Sequence, residues 1–190
     1  MRNTPARYGL IAVFLHWLDA LVIILLFGIG LYMVELTYYD SLYKPLPFFH
    51  KSLGMLLMFW FAFRVFWRLT NPSPAPVPGT RPIENRLAKL AHWAMYLLIA
   101  IVLISGYLIP TAEGAPISVF DLFSVPAAIS GIPGQEDTAG WVHRYLAYAL
   151  ISLVVLHASA ALKHHFINRD ATLRRMLGMS DKRRESHGAQ

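Results

Sequence analysis

Four long apolar segments constrain the fold of this chain more than any other feature of its sequence. They cover residues 10–34, 48–69, 87–109 and 139–165. A helix that crosses a bilayer needs roughly 20 mainly apolar residues, and each segment reaches that length. An open sheet in lipid would leave backbone groups unpaired, so segments of this kind are expected to be helices. The sequence therefore predicts an all-α integral membrane protein, built as a four-helix bundle.

The composition excludes several classes of protein and site. Hydrophobic residues make up 56% of the 190-residue chain and charged residues only 15%, whereas about a quarter of the residues in soluble domains are charged. The chain contains no cysteine, which excludes disulfides, iron–sulfur clusters, Cys-ligated zinc and the covalent attachment of c-type haem. The net charge of +6 reflects membrane topology, so nucleic-acid binding is not expected.

The distribution of lysine and arginine predicts the orientation in the membrane. Basic residues occur before the first segment, in the 71–82 connection and throughout the C-terminal segment, whereas residues 110–138 contain none. The positive-inside rule then places both termini in the cytoplasm. We expect the bundle to span residues 8–178 and a basic cytoplasmic tail, attracted to anionic lipid, to cover residues 179–190.

Two connections between the predicted helices have distinctive compositions. The proline-rich sequence of residues 71–82 is expected to form a stiff, extended cytoplasmic link. Residues 117–129 are apolar enough to lie at the outer interface of the membrane, and a short helix is predicted there.

Histidines are the residues most able to carry chemistry in this chain. Ionisable side chains inside membrane spans are costly, and they are functional candidates for that reason. A single buried histidine more often has a hydrogen-bonded packing role, but here the set is more informative than its members. The eight histidines are His16, His50, His92, His143, His157, His164, His165 and His187.

Depth in the membrane predicts two histidine pairs. His16 and His157 each lie about two helical turns from a cytoplasmic helix end, and His50 and His143 each lie about one turn from an outer end. The fourteen residues from His143 to His157 bring both side chains to one helix face, roughly 21 Å apart. Such an arrangement suits two stacked macrocycles inside a four-helix bundle.

Haem explains this arrangement better than zinc or a proton relay does. Two imidazoles from facing helices fill the two axial positions of a haem iron. Structural zinc would need four ligands at one point, and a proton relay would favour carboxylates, of which the spans hold little beyond Asp19. Small residues one turn after each paired histidine would leave room for a macrocycle; they are Ala20, Gly54, Ala147 and Ala161. Two histidines leave no open iron position, so such a centre transfers electrons.

The chain resembles the bacterial cytochrome b561 family, whose members are small four-helix dihaem proteins of the inner membrane. The resemblance is carried by LHW at 15–17, FHKSLG at 49–54, WVHRYLA at 141–147 and LHASAALKHHFINRDATLRRML at 156–177. It implies two haem b groups, one held by His16 and His157 and the other by His50 and His143. It also implies superoxide oxidation at the periplasmic face and reduction of ubiquinone.

Two cations follow the outer histidines directly. Lys51 and Arg144 are candidates for the catalytic machinery, since cations near the outer haem would attract the superoxide anion. The alternative is that they pair with haem propionates, and one cation could serve both roles. Lys44 is a further candidate for steering superoxide.

Other polar residues near the inner level are candidates for quinone binding. His92 lies at the inner level on the third segment, and His164 lies seven residues beyond His157 on the same face. Histidine can donate hydrogen bonds and protons to a quinone, so both are cofactor-binding candidates; a contact with a ligand or a propionate is the alternative. Asp19, one turn from His16, is expected to orient that histidine or to contact a neighbouring helix.

Three functions remain open from the sequence. The leading one is a superoxide:quinone oxidoreductase with two b haems. The second is a dihaem subunit that shuttles electrons between quinone and a periplasmic redox partner. The third is a haem-free membrane module, such as a transporter or an assembly factor.

Overall fold

Four long helices dominate the architecture. The computed structural model describes residues 2–5 and 7–179, so the predicted tail, apart from Met179, and His187 lie outside the described residues. The elements in chain order are α1 (Leu10–Met33), α2 (Pro45–Thr70), α3 (Pro82–Leu108), β1 (Ile117–Val119), β2 (Phe123–Val125), α4 (Gln135–Phe166) and α5 (Thr172–Met176). All four long helices have the length and hydropathy to cross a membrane, which confirms the predicted all-α membrane fold.

Three of the four long helices begin earlier than their apolar segments do, and α1 begins at the predicted Leu10. Pro45 opens α2 and Pro82 opens α3, because proline fits the first helical turn, where its missing N–H is not needed. The Glu84 carboxylate accepts the Arg81 N–H at 3.2 Å and caps the start of α3. Gly134 precedes α4 in a left-handed conformation, with φ of 71°, which glycine adopts without a steric penalty. Local capping chemistry therefore sets the helix ends.

The long helices pack as two close pairs. α1 lies against α2 and α3 lies against α4, whereas α1 and α4 approach each other at few positions. At mid-height, Phe61, Ile99 and Leu150 form a buried apolar cluster that joins α2, α3 and α4. Many large apolar side chains remain exposed on the outer faces of the helices, as is expected of surfaces that contact lipid tails. The histidine pairs described below reach from one of these helix pairs to the other.

The segment predicted as a short interfacial helix is a β-hairpin. β1 and β2 pair antiparallel, with Ile117 opposite Val125, and Phe120 and Asp121 turn the chain at φ of 51° and 56°. The helix prediction was wrong because alternating β-branched and aromatic residues favour paired strands. Ile117 and Val119 bury their side chains against Met55 of α2, so the hairpin covers one end of that helix.

The other end of the bundle is closed by a set of long-range hydrogen bonds, here called the terminal clasp. The Asn3 side chain bonds to Pro72 O at 2.9 Å, and the Ala75 N–H bonds to Pro5 O at the same distance. The α5 helix joins them, since Arg175 donates to Ala75 O at 2.8 Å. The Trp17 indole of α1 donates to Met176 O at 2.7 Å.

The terminal clasp places the N-terminal segment, the proline-rich link and α5 at one end of the bundle. An even number of spans requires this arrangement, and it agrees with the positive charge shared by these segments. That this end faces the cytoplasm remains a prediction.

Removing the hydroxyl of Ser52 is expected to loosen the hairpin. Ser52 is fully buried, and its Oγ accepts the Phe120 N–H at 3.1 Å. Ser52→Ala leaves that buried N–H unpaired, at a cost of about 1–3 kcal/mol. Hydrogen exchange of residues 117–125 should become faster in this variant.

Ser152→Ala is the matched control for this prediction. The exposed Ser152 hydroxyl bonds only to Tyr148 O, one turn earlier in its own helix. Unchanged exchange of the hairpin in Ser52→Ala, or an equal change in Ser152→Ala, would contradict the role given to Ser52.

Candidate functional site: two histidine pairs between the helices

The outer histidine pair joins α2 and α4. The ring centroids of His50 and His143 lie 6.1 Å apart, with their planes at 78°. His143 Nδ1 lies 2.8 Å from Val102 O, and because a carbonyl only accepts, this nitrogen carries the proton. The Nε2 of His143 then keeps a free lone pair. Histidines that bind metals adopt this tautomer.

The inner histidines form a cluster of three. His16 of α1 and His157 of α4 have ring centroids 6.3 Å apart, with their planes at 65°. His92 of α3 lies closer still, with its centroid 5.1 Å from that of His157. The structure therefore brings together the pair predicted from depth and adds His92 beside it.

Two glycines make room for the outer rings. A Cβ built on Gly106 of α3 would lie 2.8 Å from His143 Cε1, which is closer than real Cβ contacts. A Cβ on Gly30 of α1 would lie 3.4 Å from His50 Cε1. Sequence reasoning missed both residues, although a glycine inside an apolar helix is itself a signal of close approach. They allow α1 and α3 to pack directly against the imidazoles.

The geometry of both predicted pairs fits haem. Two imidazoles that bind one metal from opposite sides, each at a histidine–metal distance of about 2.0–2.1 Å, have ring centroids about 6.3 Å apart. The observed separations are 6.3 Å at the inner pair and 6.1 Å at the outer pair. A Cβ on Gly54, one turn after His50, would meet no atom within 4 Å. Among the described residues, no three His, Asp or Glu side chains are arranged to hold one metal ion together.

A charged network lies one turn from the inner histidines. Arg64 of α2 forms an ion pair with Asp19 of α1, and its Nε donates to the Tyr96 hydroxyl of α3 at 3.2 Å. The Asp19 side chain is 2% exposed and that of Arg64 is 19% exposed. Asp19 thus contacts a neighbouring helix, which was one of its two predicted roles. Its partner could not be predicted from the sequence.

His164 is held by a turn rather than by the inner cluster. Its Nδ1 lies 2.5 Å from Asp170 Oδ2, in the connection between α4 and α5. Burial would raise the pKa of Asp170, but hydrogen bonds from Thr172 and His164 outweigh it and lower that pKa. The structure gives no contact between His164 and His92, so the two predicted quinone residues are not brought together among the described residues.

The predicted outer cations are exposed and unpaired. Lys51 and Arg144 follow the two outer histidines on α2 and α4, and both side chains reach solvent. Neither forms a salt bridge with another described residue. Lys44, which precedes α2, is also exposed. The electric field of a cation that is not paired with a carboxylate is not cancelled locally, so it can attract an approaching anion.

Comparison with known proteins identifies the family of this chain. The family described as prokaryotic cytochrome b561 matches residues 7–179. The chain belongs to this family. Membership makes it an electron-transfer protein that uses haem b, and the four spans make it a multi-pass protein of the inner membrane.

Individual relatives cover nearly the whole chain. The Escherichia coli protein named cytochrome b561 homolog 2 is 49% identical over 178 residues, which are 94% of this chain and 95% of that protein. A Yersinia pestis protein named probable superoxide oxidase CybB is 31% identical over 173 residues, covering 90% and 96% of the two chains. The E. coli cytochrome b561 homolog 1 is 24% identical over 177 residues, covering 90% and 97%.

Filling the space at Gly106 is expected to lower the haem content of the protein. The added methyl of Gly106→Ala would displace the His143 ring and strain its bond to Val102 O, and overpacking of this kind costs about 1–3 kcal/mol. The haem-to-protein ratio, measured by pyridine haemochrome, should fall. Gly28→Ala is the control, because a Cβ at Gly28 meets nothing within 4 Å. Full haem content in Gly106→Ala would contradict the close approach of α3 to His143.

Proposed function

We propose that this cytochrome b561 carries two haem b groups, the inner one held by His16 and His157 and the outer one by His50 and His143. The observation that supports this most directly is that both pairs have the ring separation of axial ligands to one iron, 6.3 Å and 6.1 Å. A haem b held by two histidines in this way would supply one-electron transfer. The two pairs are roughly 21 Å apart along α4, so together they extend across much of the bilayer.

We propose further that the protein is a superoxide oxidase that reduces ubiquinone. Two superoxide anions each lose one electron and become dioxygen, while one quinone gains two electrons and two protons to become quinol. The likeness to a probable superoxide oxidase supports this reaction, as do the two exposed cations beside the outer pair. Lys51 and Arg144 would draw the substrate anion to that end of the bundle.

His92 is the residue best placed to serve the quinone. Its ring lies beside His157, and an imidazole can donate a hydrogen bond to a quinone carbonyl and pass a proton to it. The Nδ1 of His164 is occupied by Asp170, which leaves Nε2 as the only nitrogen of His164 that can serve a quinone. Protons for the quinone would then come from the membrane side that holds the terminal clasp.

Removal of His157 is expected to abolish the inner haem and to spare much of the outer one. His157→Ala takes one axial ligand from the inner pair and leaves His50 and His143 in place. The iron-to-protein ratio of the purified protein should fall from two to about one, with a reduced b-type band remaining. His165→Ala is the control, because the His165 ring packs against Phe166 instead. Two haems retained at full stoichiometry in His157→Ala would show that the inner assignment is wrong.

Reversing the charge of Lys51 or Arg144 is expected to slow the reduction of the cytochrome by superoxide. Lys51→Glu and Arg144→Glu place an anion beside the outer pair, and the rate should fall about tenfold at low ionic strength. The effect should shrink as salt shortens the Debye length to about 10 Å at 0.1 M. Stopped-flow absorbance of the isolated protein measures this rate.

Arg86→Glu is the control for the charge reversals. This arginine is exposed at the opposite end of the bundle, so the same change of charge there should leave the rate unaltered. If unmodified protein is not reduced by superoxide but is reduced by quinol, the electron-shuttle function with a periplasmic partner replaces the oxidase.

A further inference from the structure

The buried ion pair between Asp19 and Arg64 is not needed to hold any ligand or substrate in the function proposed above. Charges inside a membrane span are costly, and they mark functional positions more often than structural ones. A well-packed apolar pair would hold two helices together as well or better than a buried ion pair does. The presence of this pair in the span therefore requires a reason other than stability.

The position of Arg64 supplies that reason. Asp19 follows His16 by three residues on α1, and Tyr96 follows His92 by four residues on α3. Residues at these spacings lie one turn apart on the same helix face. Arg64 enters from α2 and contacts both Asp19 and Tyr96, so its guanidinium lies between the helix segments that carry His16 and His92.

The charge of Arg64 is balanced by one group. Among the described residues, Asp19 is its only carboxylate partner. The second oxygen of that carboxylate, Oδ1, is buried without a hydrogen-bond partner, and among the described residues Arg64 is the only cation paired with Asp19. Loss of either side chain would leave a single uncompensated charge in a medium where charge interactions are strong.

We propose that the Asp19–Arg64 pair sets the reduction potential of the inner haem independently of the outer one. This inference rests on the proposed placement of a haem between His16 and His157. The oxidised haem carries one more positive charge than the reduced haem, and reduction adds one electron without making or breaking a bond. A cation left alone at Arg64 would disfavour the oxidised state, and an anion left alone at Asp19 would favour it.

The experiment is a mediated redox titration, with dithionite as reductant and ferricyanide as oxidant, that resolves the two haems of the purified full chain. Asp19→Asn keeps the shape of the side chain and leaves the cation of Arg64, so the inner potential should rise. Arg64→Gln should lower it. Each shift should reach at least a tenfold change in the one-electron equilibrium constant, which is about 59 mV, and should exceed any shift of the outer haem.

The double variant and a control separate electrostatics from structure. Asp19→Asn combined with Arg64→Gln removes both charges and should restore an inner potential close to that of the natural protein. Glu84→Gln makes the same chemical change in an exposed pair with Lys163 at the same end of the bundle, and it should move neither potential. If one single variant does not assemble, the other still tests the predicted direction.

The outcomes distinguish this inference from the proposed function. An unchanged inner potential in an assembled single variant, or equal shifts of both haems, would overturn the role of the pair and leave the haem assignment intact. A protein with fewer than two haems when fully loaded would overturn the haem assignment itself. Opposite shifts in the two single variants, with recovery in the double variant, would establish the pair as the control element.

Discussion

The facing of imidazoles from one helix pair to the other is the constraint on which the rest of this structure depends. α1 packs on α2 and α3 packs on α4, while the paired histidines reach from one helix pair to the other. At mid-height, between the two histidine levels, Phe61, Ile99 and Leu150 form an apolar cluster that joins three of the helices. A haem held by each histidine pair, as proposed, would form part of the interior on either side of this cluster.

Much of this arrangement could be predicted because it depends on periodicity and length. The four spans follow from apolar segments that nothing but a helix satisfies in lipid. The pairing of His16 with His157, and of His50 with His143, follows from counting residues from each helix end. That count works because straight helices of known rise cross a slab of known thickness. α2, α3 and α4 begin before their predicted positions, because proline and glycine capping is decided by local backbone chemistry.

The features that could not be predicted depend on contacts between distant parts of the chain. Arg64 and Asp19 are 45 residues apart, and nothing in the local sequence of either names the other as its partner. The space that Gly106 leaves for His143 is visible only when α3 lies against α4. The spacing from His157 predicted that His164 shares its helix face. In the structure, the chain turns after α4 and Asp170 forms a hydrogen bond with His164 Nδ1. The hairpin at 117–125 was missed because an apolar composition does not distinguish a short helix from two short strands.

The terminal clasp has a consequence for how the protein is made. The two bonds that α5 contributes join residues 100 and 159 positions apart in the sequence, so they cannot form until α5 has left the ribosome. The bonds of Asn3 and Pro5 to the proline-rich link need only the first half of the chain. Synthesis from the N-terminus therefore closes this end of the bundle in two stages, and the four long helices are complete before the second stage.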